Sequence, residues 1–421
     1  MTWARALLLI ATLSVAGAGL VGLVSRTPAE VRERPPAGDA TDPDLGATFT
    51  DDQVERHGAY RRPGYVSYVV GLVLQVVTLA VLARGPWGRL VAALETRIGP
   101  WPVRAMVAGA AVALILVAVT LPLAYVRGFV VEHAWGLSTQ GAPGWVADRL
   151  KGAAVGAITS AVAAVVFFGV LRWQPATWWL WGWGAFTGLT AVMVFLWPVV
   201  VAPLFNDFTP LEPGPLEERV RSLAADVGVP VDDVLVADAS RRTTAENAYV
   251  AGLGGTKRLV LYDTLLAAGT DDQTAFVVAH ELGHQAERHV TKNLLISSAG
   301  LFAGFAFLGW LGTRASPWGW ANATGAGDLR ALPLLVLLMT VLTLVAMPLQ
   351  AALSRRFEAD ADRIAIGLTG DPDAAVSAFR RLALNNLADL DPPPVAVALF
   401  YSHPPIPDRI EAALATSREG P

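Results

Sequence analysis

Residues 271–289 read DDQTAFVVAHELGHQAERH, and two histidines inside that stretch govern the reading of the whole chain. His280 and His284 stand four residues apart, so on a helix both rings leave one face, one turn apart. That separation lets two imidazoles reach one tetrahedral Zn2+ at about 2.0–2.1 Å each. Glu281 lies beside them, placed to take a proton from a metal-bound water. Asp271 or Asp272 can cap the helix, apolar residues back the histidines, and the helix is expected to run on towards the apolar run that follows. The chain has no cysteine, which excludes disulfides, thiol catalysis and Cys-ligated zinc. Any metal must be held by His, Asp or Glu.

Outward from this stretch the chain turns apolar. Of its 421 residues 53% are hydrophobic and only 16% charged, against about 25% in ordinary soluble domains. A bilayer-spanning helix needs about 20 mostly apolar residues. Seven stretches qualify, at 6–24, 65–83, 103–126, 152–171, 178–201, 294–312 and 332–352. Tyr65, Trp101, Tyr125, Trp173, Trp178 and Trp179 stand near their ends, where aromatic anchors meet the interface. A net charge of −4 gives no basic field for nucleic acid.

Charge asymmetry orients the bundle. Arg26, Arg32, Arg34, Arg56, Arg61 and Arg62 separate the first two spans, and Arg5 alone precedes them. The positive-inside rule puts that loop in the cytoplasm and the N-terminus outside. A cleaved signal peptide at 6–24 would need the opposite orientation. Four regions follow: spans one to five (1–205), a polar insert with HELGH (206–291), spans six and seven (292–353), and a polar helical tail (354–421). Two spans separate insert from tail, so both face the cytoplasm. Lysine occurs only as Lys151, Lys257 and Lys292, a bias that suggests a GC-rich bacterial genome and hence a bacterial inner membrane.

Within the insert, 213–228 has helical periodicity and 231–240 reads as a short strand. Residues 247–266 read as two strands joined by a Gly-rich turn at 252–255. Residues 30–52 read as a polar loop. The fold class is therefore mainly α: a polytopic membrane protein with seven transmembrane helices, an α+β insert and a helical tail.

A catalytic zinc needs a third protein ligand and an open position. A metzincin would place glycine and histidine where Glu287 and Val290 stand. His289 comes one residue too early and reads as a surface or interfacial residue. After span seven comes SRRFEADADRIA (354–365), in which Glu358 and Asp362 share a helical face. Glu358 is the better ligand, and Asp362 could hydrogen-bond a zinc-bound imidazole. Asp360 lies on another face.

On these residues the chain resembles the type I CAAX prenyl proteases, seven-span zinc endopeptidases of the gluzincin group with a large intramembrane chamber. HELGH and FEADAD are shared with wider relatives, including bacterial quality-control proteases of the HtpX type. PLFNDFTPL (203–211), AENAYVAGLGGTKRLVLYDTLL (245–266) and YSHPPIPDRIEAA (401–413) favour the CAAX branch, and EHAWGLSTQ (132–140) is a weaker match. The resemblance implies one Zn2+ per chain and peptide or membrane-protein substrates. It implies that Asn247 and the strand after it, with Ala248 and Tyr249, hold the peptide by main-chain hydrogen bonds. It implies that His403 donates to the oxyanion and Arg409 braces that site. Arg241 and Arg242 could meet an acidic substrate terminus or form a solvated pair. A non-catalytic transporter or scaffold is the competing class, but a transporter would carry charges inside its spans, and these are nearly absent.

Overall fold

The structure, a computed structural model, describes residues 3–33, 49–229 and 234–419. Most of the expected loop at 30–52 and the first residues of the strand read at 231–240 lie outside them.

Seven helices among the described residues are long and apolar enough to cross a bilayer. The first five are α1 (Trp3–Val24), α2 (Asp51–Arg84), α3 (Trp101–Tyr125), α4 (Ala142–Trp173) and α5 (Trp178–Leu196). The insert contributes α6 (Pro215–Asp226) and α7 (Asp271–Ala286). The sixth and seventh spans are α8 (His289–Gly312) and α9 (Leu332–Thr369), and the tail adds α10 (Pro372–Asn385) and α11 (Ile406–Glu419). Leu8, Val15, Leu150, Val345 and Leu349 stand exposed on the spans, as lipid-facing residues do. Between the spans, Leu79, Trp87, Ala108, Phe168, Phe305 and Leu308 form an apolar core. Gly109 lets α3 meet α4 at backbone contact, since a Cβ there would collide with the Ser160 carbonyl.

Two of the helices that outrun the membrane position the site. At 1.5 Å per residue the 34 residues of α2 and the 38 of α9 reach about 51 and 57 Å, against a hydrocarbon core of about 30 Å. The surplus of α9 carries Glu358 and Asp362, so the FEADAD segment continues span seven without a break. The surplus of α2 grips the tail. His57 Nδ1 lies 2.7 Å from the Ala388 carbonyl, and Arg61 donates to the carbonyls of Leu387 (2.6 Å) and Asn386 (2.9 Å). The arginine-rich loop side and the tail thus meet on one side of the bundle.

The insert forms a four-stranded sheet in the order β1 (Phe208–Pro210), β2 (Val234–Ala237), β4 (Arg258–Tyr262), β3 (Ala248–Ala251). β2 and β4 are parallel, and the outer pairs antiparallel. The turn expected at 252–255 forms, with Gly252 at φ 101°, where L side chains rarely go. β3 is an edge strand. Beneath the sheet, Leu223, Leu261, Phe276, Leu282, Ile366 and Phe379 form a second core joining the insert to α9 and the tail helices.

Three local expectations are corrected. Residues 263–268, whose first four fall in the second strand expected within 247–266, form a short helix. Thr270, and neither Asp271 nor Asp272, caps α7, in a reciprocal capping box with Gln273. The helix also does not run on into span six. It stops at Ala286, Arg288 turns left-handed at φ 53°, and α8 starts afresh at His289.

Candidate metal centre

α7 is buried along most of its length, with Val278, Ala279 and Leu282 fully enclosed. The glycine of HELGH has a packing reason. A Cβ on Gly283 would lie 3.2 Å from the Ala361 Cα and carbonyl and 3.4 Å from the Ile364 Cβ. α7 therefore crosses α9 at Ala361, between Glu358 and Asp362, and the crossing brings the two polar faces together. Gly283→Val is expected to overpack this crossing, costing about 1–3 kcal/mol of stability and weakening metal binding. Thermal unfolding with and without added metal checks it.

The crossing assembles three donors. His280 Nε2 lies 3.1 Å from Glu358 Oε2 and 3.1 Å from His284 Nε2, and His284 Nε2 lies 3.5 Å from Glu358 Oε1. Ligands about 2.1 Å from a tetrahedral ion stand about 3.4 Å apart, so this triad fits one metal ion. Two imidazole Nε2 atoms facing one carboxylate, all within 4.8 Å, form a donor set suited to a borderline divalent metal.

Supporting contacts aim the ligands. His280 Nδ1 lies 2.8 Å from Asp362 Oδ1, which leaves Nε2 for the metal. Arg409 grips Asp362 with two hydrogen bonds, Nε to Oδ2 at 2.8 Å and Nη2 to Oδ1 at 2.6 Å, while stacking on Phe379. Burial by itself would push the His280 imidazole down, but its hydrogen bonds to Asp362 and Glu358 outweigh it and hold the ring at about 9. Metal binding needs that ring unprotonated at Nε2. Apparent metal affinity is therefore expected to fall about tenfold per pH unit as pH drops below about 9. Chelator competition across pH 6–9 measures this, and a flat profile would contradict it.

Glu281 borders the triad without joining it. Burial pushes its carboxyl above the ordinary value, although His280 and His284 pull it back. Its Oε2 accepts a hydrogen bond from the Val250 amide at 3.1 Å, which ties the carboxylate to β3. In the β3–β4 ladder Tyr249 faces Val260, and the Asn247 carbonyl accepts from the Tyr262 amide. The alternation of an antiparallel pair then turns the backbone groups of Ala248 and Val250 to the open edge. The Tyr249 ring packs edge-on against Tyr262.

A cavity of about 400 Å³ opens beside His280, lined by Asn247, Ala248, His280, Glu281, His403 and Arg409 among others. His403 Nε2 is 3.1 Å from Glu358 Oε2, and its Nδ1 is 2.8 Å from the Ser402 hydroxyl. Arg241 and Arg242 are held by their own chain. Arg241 pairs with Asp238 at 3.0 Å and donates to the Phe205 carbonyl, while Arg242 pairs with Asp148 at 3.6 Å and donates to Asn206.

Several contributors escape sequence reasoning. His289, read as a surface or interfacial residue, is 2% exposed, with its Nδ1 2.9 Å from His284 Nδ1. The physical reason is the left-handed Arg288, which no pattern of residue types announces. Glu246, beside Asn247, is buried against Arg381 at 3.0 Å and fastens the start of β3 to α10. An acidic residue next to an apolar strand was the one available signal.

A helix presenting two histidines, a carboxylate from a second helix and a buried glutamate beside an open strand edge, all at the end of a seven-span bundle, define an integral-membrane metallopeptidase. Residues 210–417 match Peptidase family M48, and residues 35–207 match the CAAX prenyl protease N-terminal family of five membrane helices. The chain belongs to peptidase family M48. It is 35% identical over 302 residues, 71% of each chain, to the uncharacterized metalloprotease YhfN of Bacillus subtilis. It is 32% identical to the CAAX prenyl protease 1 homolog of Arabidopsis thaliana over 69% of each chain. It is 30% identical to CAAX prenyl protease 1 of Saccharomyces cerevisiae over 70% of this chain and 68% of that one. The crystal structure of S. mikatae Ste24p shares the fold, with a TM-score of 0.73 at 23% identity over 96% of this chain and 98% of that one. The chain is thus a multi-pass membrane metalloendopeptidase acting on peptides.

Proposed function

We propose that the protein is a zinc endopeptidase that cuts peptides at the cytoplasmic face of a bacterial inner membrane, with His280, His284 and Glu358 as ligands. The observation that carries this is the position of Glu281, bordering the ligand triad and bonded to the strand edge where a peptide backbone would pair. A Zn2+ held by His280, His284 and Glu358 would supply Lewis-acid polarisation of the scissile carbonyl and would lower the pKa of a water towards about 7. Glu281 takes the water's proton on its carboxylate and passes it to the leaving amine. Asp362 and Arg409 keep His280 Nε2 aimed at the metal. The outward backbone groups of Ala248 pair with the substrate as an added strand, and Asn247 lines the cleft beside it. Tyr249 supports that edge through its pairing with β4.

His403 donates from Nε2 to the developing oxyanion. His403→Ala is expected to lower kcat by about 10²–10³ with KM and metal content little changed. Steady-state kinetics on metal-loaded protein check it, and a loss confined to KM would contradict the role.

The substrate is a membrane-associated peptide, with CAAX-type C-termini within its range. A second cavity, of about 620 Å³, opens between the spans beside the cleft, lined by Tyr65, Tyr68, Ile296, Met347, Leu353 and Phe400 among others. Ser402 lines this cavity and the adjacent His403 lines the cleft. An apolar substrate segment fits there while its scissile bond lies at the metal. Cleavage of a farnesylated C-a-a-X peptide against its unmodified twin tests this. Faster cleavage of the farnesylated peptide supports use of the apolar cavity, and equal rates favour general proteolysis. Cleavage of neither by zinc-loaded protein would overturn the proposal.

A further inference from the structure

His289 is a buried, chemically competent side chain to which the mechanism gives no part. It follows His284 by five residues, and on a continuous helix five residues turn the chain about 140° beyond a full turn. Its ring would then point away from His284. The left-handed Arg288 breaks the helix and returns His289 to its neighbour. The two rings meet with centroids 5.0 Å apart, at 68°. On the other side His289 stacks on Phe357, 4.3 Å away at 18°, and Phe357 immediately precedes Glu358. His289 is therefore clamped between the two ligand-bearing segments.

Only one proton fits between the Nδ1 atoms of His284 and His289, 2.9 Å apart. If His289 donates it, the neutral His284 carries its own proton on Nε2, aimed at His280 and Glu358 where the metal belongs. If His284 donates, its Nε2 lone pair is free to ligate. The Nε2 of His289 meets no hydrogen-bond partner among the described residues, so neither a donor nor an acceptor on its far side fixes its tautomer, and the choice falls to the contact with His284. We propose that His289 is a positioning residue: its Nδ1 accepts from His284 Nδ1–H and fixes that ring's metal-binding tautomer and plane. It does for His284 what Asp362 does for His280, with a neutral acceptor in place of a carboxylate. The proposal rests on the metal-site reading above.

Full-length protein in detergent, titrated with zinc against a chromophoric chelator, tests it with two variants. His289→Phe keeps a ring to stack on Phe357 and removes the acceptor. His289→Asn places an amide oxygen close to where Nδ1 stands. His289→Phe is expected to weaken zinc binding about 10–100-fold and to shift the visible spectrum of the cobalt-loaded protein. His289→Asn is expected to restore most of that affinity. Wild-type affinity in a folded His289→Phe protein would overturn the inference. So would equal losses in both variants together with lower thermal stability of the metal-free protein, since that pattern marks a packing role alone. Failure of the wild-type protein to bind zinc would instead overturn the metal-site reading beneath it.

Discussion

Glu281→Ala is expected to abolish peptide hydrolysis while leaving the fold and metal binding largely intact. Proton transfer by a positioned base contributes about 10²–10⁴ in rate, and removing the carboxylate removes both the base and the later donor. The proposed metal donors are His280, His284 and Glu358, so that ligand set survives the substitution. The structural loss is one hydrogen bond from the Val250 amide, worth about 1 kcal/mol. That amide lies on an open edge, where water can replace the carboxylate. Parallel measurement of metal content, thermal unfolding and cleavage decides the matter. Retained cleavage by a purified, metal-loaded Glu281→Ala protein would sink the assignment. Because burial raises the Glu281 carboxyl, the acid limb of kcat/KM is expected above the ordinary carboxylate value, with activity falling as pH drops through it.

Glu358→Ala is expected to fail in a different way, by losing the metal. It supplies the only carboxylate of the triad, and its two oxygens face both histidines. Losing it leaves two imidazoles from one helix, and the drop in affinity should exceed the about 10–100-fold typical of a supporting residue. Asp362→Asn supplies that comparison, since Asp362 touches His280 at Nδ1 and not at the metal-facing nitrogen. Metal analysis after dialysis separates the variants: full occupancy in Glu281→Ala, weakened binding in Asp362→Asn, none in Glu358→Ala. A Glu358→Ala protein that kept stoichiometric metal would remove Glu358 from the ligand set.

Both results depend on the crossing of α7 and α9. One carries HELGH after the insert, and the other is the outward extension of span seven. Only small residues at the contact allow it, with Gly283 against Ala361. Within HELGH and EADAD the proposed polar ligands and the small residues thus divide the work, the small ones setting the distance at which the polar ones meet.

The sequence by itself determined whatever depends on local periodicity. Apolar runs announced seven spans, and seven helices of that kind stand among the described residues. The i, i+4 spacings put His280 with His284 on one helical face and Glu358 with Asp362 on another. Shared sidedness across two spans was enough to expect the two faces to meet. Tertiary structure decided what no local pattern encodes. The bond between Val250 and Glu281 depends on the docking of an edge strand against a helix. The pairing of Glu246 with Arg381 depends on two buried charges, 135 positions apart, finding each other. The inward turn of His289 depends on a left-handed arginine, a conformation that residue type does not predict and that only surrounding packing can hold. Spacing along a helix specifies which side chains share a face. Which faces touch, and at what distance, is specified by the packing of the whole chain.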